Sequence, residues 1–153
     1  MSEVEPTVAN VMTKTVMSAD LDTNVKECSK LMAKRGVSCA VITQGGSAIG
    51  IVTERDLVSK VLANAVDPTK VRMRDVMSTP LITIAPIATL TEAASMMAGY
   101  RVRRLVVVEG RSMVGIITTG DIARWLAENQ GYREAKLNAM ARYKEGMQDG
   151  PYQ

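Results

Sequence analysis

Gly50-Ile51-Val52-Thr53-Glu54-Arg55-Asp56-Leu57 returns 65 residues later as Gly115-Ile116-Ile117-Thr118-Thr119-Gly120-Asp121-Ile122. Each stretch runs an apolar strand into a Thr and places an acid three residues on. The same offset relates Val11-Met12-Thr13 to Val76-Met77-Ser78, Met32-Ala33 to Met97-Ala98, Val37 to Val102 and Gly45-x-Ser47 to Gly110-x-Ser112. One register held without a gap across so much chain is an internal duplication, and it governs the reading of every other segment.

Each copy reads β-α-β-β-α. A short apolar segment opens it, Val16-Met17 in the first copy and Leu81-Ile82-Thr83-Ile84 in the second. A helical stripe follows at Val25, Cys28, Leu31 and Met32, and again at Leu90, Ala93, Ala94, Met96 and Met97. Cys39-Ala40-Val41-Ile42 and Leu105-Val106-Val107-Val108 are strands. Turn chemistry at Gln44–Ser47 and Glu109–Ser112 leads to second strands ending at Thr53 and Thr118, where a second helix starts. The fold class is α/β in the α+β sense. The first repeat occupies residues 1–65, the second 66–128, and a C-terminal helical tail 129–153. A single copy of about 60 residues buries a marginal core. Two copies paired by a pseudo-twofold are expected to cover each other's open sheet faces and leave a cleft where the strand-to-helix corners meet.

Composition removes whole classes of chemistry. Of 153 residues 46% are hydrophobic and 23% charged, which fits a packed domain. There is no histidine, so Ser-His-Asp and Cys-His catalysis, HExxH metalloproteases and C2H2 fingers are excluded. The two cysteines, Cys28 and Cys39, make neither a four-thiolate zinc site nor a disulfide framework, which suits a reducing cytoplasm. The acidic, polar Met1–Pro6 is unlike a signal peptide, and no apolar run approaches a membrane span. A net charge of +3 does not by itself argue for nucleic acid. Phe is absent, and Trp125, Tyr132, Tyr143 and Tyr152 crowd the C-terminal part, so no strand carries base-stacking aromatics.

The Asn10-Val11-Met12-Thr13 and Asp75-Val76-Met77-Ser78 openings, the Arg103-Arg104-Leu105-Val106-Val107-Val108 strand and the two G-h-h-T-x-x-D corners make the chain resemble a tandem pair of cystathionine-β-synthase-type (CBS) domains over roughly residues 6 to 128. The resemblance implies a module that binds adenosine ligands and transmits its occupancy to a partner. AMP, ADP and ATP head that list, with S-adenosylmethionine and dinucleotides also known in the family. It further implies a flat homodimer built on the second helices, and no prosthetic cofactor.

Thr53-x-x-Asp56 and Thr118-x-x-Asp121 carry the chemistry. By themselves they are capping boxes, a structural device. They also gather free backbone N–H groups and the positive end of a helix dipole, a seat for phosphate. The resemblance assigns the Thr to phosphate and the Asp to ribose hydroxyls. Arg103 and Arg104 stand at the mouth of their strand, where alternation sends one towards the cleft and the other to solvent. Guanidinium suits phosphate, although an edge strand also uses such charges simply to stay soluble. The first copy has Ser38-Cys39 there instead and carries its cation at Arg55, which Gly120 replaces in the second copy. Two equal phosphate sites are therefore not expected. By family position Val16, Val37, Leu81 and Val102 are the apolar candidates for adenine, and each also suits a core.

With no catalytic machinery visible, the expected protein is a stand-alone adenine-nucleotide sensor in the cytoplasm, not an enzyme, acting on a protein partner. The alternative is a nucleic-acid-binding regulator using basic Lys70–Arg74, Arg101, Arg103, Arg104 and the tail. A purely structural dimerisation module is a further one. Tyr132, Met140, Tyr143 and Met147 lie on one arc of a helix expected over Tyr132–Met147, packed on its own module, with Gln148–Gln153 fraying.

Overall fold

The computed structural model describes residues 4–129; the helix expected over Tyr132–Met147 and the end at Gln148–Gln153 lie outside the described residues. Along the chain α1 (Val8–Val11) precedes β1 (Ser18–Asp20), α2 (Val25–Arg35), β2 (Cys39–Gln44), β3 (Ser47–Thr53) and α3 (Glu54–Asp56), which continues as a π-helix over Leu57–Leu62. The series then repeats as α4 (Met73–Val76), β4 (Thr83–Ile84), α5 (Leu90–Tyr100), β5 (Arg104–Glu109), β6 (Ser112–Thr118) and α6 (Thr119–Glu128). The β-α-β-β-α order is present twice, with a four-residue helix added before each copy. Val16-Met17 and Leu81-Ile82 lie just ahead of β1 and β4.

Two three-stranded sheets result, ordered β1-β2-β3 and β4-β5-β6. In each, the first pair is parallel and the second antiparallel. A register shift falls between Ile42 and Thr43 and again between Val107 and Val108, positions related by the repeat offset. The duplicated sequence thus reproduces its irregularities as well as its ladders.

The local signals explain the element bounds. Asn24 caps α2 by accepting from the Glu27 N–H at 2.9 Å. Thr89 and Glu92 cap α5 reciprocally, at 2.8 and 3.1 Å. Gly36 ends α2 in the left-handed conformation at φ 64°, whereas its counterpart Arg101 ends α5 there at φ 57°. A side chain at such a position is strained and glycine is not.

Clustering of the backbone divides the chain into two compact units. Val16–Leu81 forms one; the described residues up to Thr15 together with those from Ile82 to Asn129 form the other. The repeat boundary near Ala65 is a sequence boundary, and the units are drawn along different lines. In each, the short helix comes from ahead of the other copy. Ser78 bridges to Ile51 through 2.8 and 3.2 Å backbone bonds in the first unit, and Thr13 bridges to Ile116 through two of 2.9 Å in the second.

Glycine permits both bridges. A Cβ built on Gly50 would lie 2.9 Å from the Met77 Sδ and 3.1 Å from the Ser78 carbonyl; one on Gly115 would lie 2.6 Å from the Met12 Sδ and 2.8 Å from the Thr13 carbonyl. In the Val16–Leu81 unit, Asp22 further accepts from Arg72 at 3.2 Å and from the Arg74 Nε at 3.0 Å. Hydrogen bonding from Arg74, and secondarily from Arg72, holds the Asp22 carboxyl below its ordinary value.

The core of the Val16–Leu81 unit joins Met17, Leu21, Val25, Cys28, Met32, Ala40, Ile42, Val52, Val61, Met73 and Val76. Burial pushes the Cys28 thiol up to about 11, so it behaves as a small hydrophobe. In the other unit α1 and α5 pack on α6 and on the β5–β6 pair, burying Val8, Leu90, Met97, Leu105, Ile117 and Ile122.

Gly115→Ala should therefore lower stability by about 1–3 kcal/mol, the scale of core overpacking, and more than Gly50→Ala, read as the loss in thermal midpoint. Arg101→Gly should raise stability by about 1 kcal/mol by removing a left-handed side-chain penalty. An unchanged or lower midpoint would show that Arg101 is not strained.

Candidate functional site

Each unit has one strand-to-helix corner, built from the same backbone. In the second unit Thr118 closes β6 and caps α6. Its N–H donates to Asp121 Oδ2 at 2.9 Å, and the Asp121 N–H donates back to Thr118 Oγ1 at 3.1 Å. The Thr119 N–H reaches the Arg103 carbonyl at 3.0 Å, which fastens the corner to the mouth of β5. In the Val16–Leu81 unit the Thr53 N–H and hydroxyl donate to Asp56 Oδ2 at 2.9 and 3.2 Å, the Asp56 N–H donates to Thr53 Oγ1 at 3.3 Å, and Glu54 N–H reaches the Ser38 carbonyl at 3.0 Å. Both motifs are capping boxes. In each, Oδ2 serves the cap, so Oδ1 is the oxygen on which the corners differ.

Asp56 and Asp121 are both buried, at 5% exposure, an unusual place for carboxylates unless they are hydrogen-bonded or paired. Asp56 Oδ1 meets the Lys60 Nζ at 3.0 Å and accepts from the Ser78 hydroxyl at 3.4 Å. Lys60 also donates to the Val76 carbonyl at 2.8 Å. Asp121 Oδ1 has a looser partner, Arg124 Nη1 at 3.4 Å, on a side chain 66% exposed.

Arg104 is the other distinguishing group. It pairs across the hairpin with Thr118, and directly opposed residues share one face of a sheet. Its Nε and Nη1 are buried and donate to no acceptor among the described residues. Arg103 beside it is exposed, so alternation separates the two arginines. Cys39 takes the Arg104 position opposite Thr53.

The remaining candidates are placed as follows. Ser38 and Arg55 are exposed at the first corner. Val16, Val37 and Leu81 are half-buried, with Val37 against the core of its unit, while Val102 has no exposed surface. Sequence reading overlooked Lys60, Ser78 and Arg124. Lys60 and Arg124 were legible as cations four and three residues beyond their acids on a helix. Ser78 was not, because it arrives only through the Ile51 bridge.

The chain matches the CBS domain over residues 8–63 and 73–128 and belongs to that family. An uncharacterised protein of Methanocaldococcus jannaschii is 32% identical over 106 residues, 67% of this chain, and the chain spans only 57% of that relative's length. The CBS domain-containing protein YhcV of Bacillus subtilis is 29% identical over 86% of this chain and 93% of YhcV. Among solved structures, the CBS domain pair of protein MJ0100, in complex with 5′-methylthioadenosine and S-adenosyl-L-methionine, superposes with a TM-score of 0.73 at 25% identity, covering 82% of this chain and 98% of that one. Among the described residues no helix is long and apolar enough to cross a membrane, and no group of three or more acidic, Cys or His side chains is placed to hold a metal ion.

The two acids should differ as structural elements. Asp56→Ala removes the carboxylate that accepts from the Thr53 N–H, the Ser78 hydroxyl and Lys60 and should cost about 1–3 kcal/mol. Asp121→Ala should cost about 1 kcal/mol, the scale of a lost cap. Thermal unfolding of the two variants side by side checks the order.

Proposed function

We propose that the chain is a regulatory module that binds an adenine nucleotide, AMP, ADP or ATP, and passes its occupancy to a protein partner, with no chemical step of its own. The observation that carries this reading is Arg104, whose buried Nε and Nη1 donate to nothing described beside the start of α6. Buried donors call for an acceptor, and a guanidinium at a helix start suits a phosphate or comparable anion. Asp121 supplies a carboxylate that can accept from sugar hydroxyls. The adenosyl ligands of the MJ0100 pair support adenosine as the rest of the molecule, and leave S-adenosylmethionine and dinucleotides as neighbouring choices.

Homodimerisation belongs to the same reading. Among the apolar second-helix residues, Val61, Ile122 and Leu126 are buried and Trp125 is half-buried, but Val58 and Leu62 remain 56% and 74% exposed. A second copy is the occupant that reading requires. The nucleic-acid alternative loses part of its basis, because Arg72 and Arg74 of the basic linker are engaged by Asp22.

Calorimetric titration should give micromolar affinity for AMP, ADP or ATP, about −8 kcal/mol, with weaker binding of GMP. Arg104→Ala should weaken AMP and ATP while sparing adenosine, which lacks the phosphate. No heat and no thermal shift with all three adenylates at millimolar concentration overturns the reading.

A further inference from the structure

We infer that the protein takes one nucleotide per chain, at the Arg104–Thr118–Asp121 corner, and that Lys60 closes the equivalent corner of the first repeat by standing in for a ligand. The inference rests on the adenylate reading above and adds to it the location, the stoichiometry and the group responsible for the inequality.

The two corners keep the same cap and exchange the position of their cation. Lys60 corresponds by the 65-residue offset to Trp125, and Arg104 to Cys39. In the first repeat the cation therefore lies on the helix and meets the buried carboxylate directly, at 3.0 Å. In the second it lies on the strand, opposite Thr118, with two buried donors unmatched among the described residues.

A ribose needs the outward carboxylate oxygen to accept from its hydroxyls. At Asp56 that oxygen is held by a cation and a hydroxyl, and the cation is itself tied to the Val76 carbonyl. Displacing Lys60 breaks two interactions at once, and displacing Ser78 disturbs the segment bridged to Ile51. At Asp121 the only described partner of the equivalent oxygen is Arg124, a long contact on a largely exposed side chain, the kind of pair that contributes little and yields readily.

The helices differ too. The first corner opens only three α-helical residues before the chain turns π-helical over Leu57–Leu62, with Ala63 N–H on the Val58 carbonyl at 2.8 Å. The second opens a ten-residue α-helix. The more accessible carboxylate oxygen for sugar hydroxyls and the unmatched guanidinium for phosphate both favour a nucleotide at the second corner.

Titration of the full chain with AMP should fit one site per chain. Hydrogen exchange with and without AMP should show added protection at the 118–121 amides and none at 53–56. Arg104→Gln should weaken that event at least ten-fold, and Lys60→Met, which takes the cation from Asp56 Oδ1 and leaves only the longer Ser78 contact, should add a second, weaker event. Two equal events in the wild-type chain, or protection at 53–56, overturns the inference while leaving the adenylate reading intact. So does a folded Lys60→Met protein that still binds only one AMP at millimolar concentration. Absence of heat and of protection with AMP, ADP and ATP alike removes the adenylate reading and the inference together. Because the exchange measurement uses the unsubstituted protein, it decides the location even if Lys60→Met fails to fold.

Discussion

In each unit a neighbouring segment packs against an outer strand where a side chain is missing. Gly50 lets Met77 and Ser78 lie against β3, and Gly115 lets Met12 and Thr13 lie against β6. β3 and β6 are the outer strands of their sheets, and an outer strand carries unpaired peptide groups that invite foreign strands. The incoming segments satisfy part of that edge with paired hydrogen bonds. They also fix the short helices just before them: α4 buries Met73 and Val76, and α1 buries Val8. In the Val16–Leu81 unit the effect reaches the corner, since the strand-edge bridge is what presents the Ser78 hydroxyl to Asp56. The missing side chain at Gly50 thus bears both on the packing of the unit and on the hydrogen bonding of the buried Asp56, through a hydroxyl 22 residues from that acid in sequence.

The corners show how one carboxylate can be structural and chemical at once. Oδ2 is committed to the Thr backbone and holds the helix start. Oδ1 is free to be assigned differently in each copy. Duplication has preserved the first oxygen's task and let the second diverge, through single side chains at the positions of Lys60 and Arg104. The scaffold and the site therefore vary independently.

Much of this was legible before any coordinates. The 65-residue offset placed both corners, both hairpins and both long helices, because periodicity and turn chemistry are local properties written in neighbouring residues. The Thr and Asp of each corner were identified for the same reason. Exchange of α1 and α4 between the copies was not legible, since it depends on contacts such as Thr13 with Ile116 that no local pattern records. The partners of Oδ1 divide along the same line: Lys60 is a helical neighbour of Asp56, whereas Ser78 arrives from outside the repeat. The π-helix at Leu57–Leu62 left no signal either, because its residues also suit an α-helix. Among the apolar candidates, strand and helix patterns could not distinguish Val102, which is wholly enclosed, from Val16, Val37 and Leu81, which keep some surface.

The exchange has a consequence for the order in which the protein can be made. Val16–Leu81 is continuous, so every pairing it requires is available as soon as Leu81 has left the ribosome. The segment carrying Val8 and Thr13 precedes that unit in the chain, yet its backbone partners follow it: Pro86, Ala88 and Thr89 first, and Ile116 last. It must close a loop of about a hundred residues, at a chain-entropy cost that rises only slowly with length but delays non-local pairing. Until Pro86 and Ala88 are made, Val8 and Ala9 lack their backbone partners, and until β6 is made Thr13 lacks its own. Synthesis thus imposes a sequence of events, early unit first and split unit second, in which the exposed N-terminal segment is the species most open to capture by chaperones or by other chains.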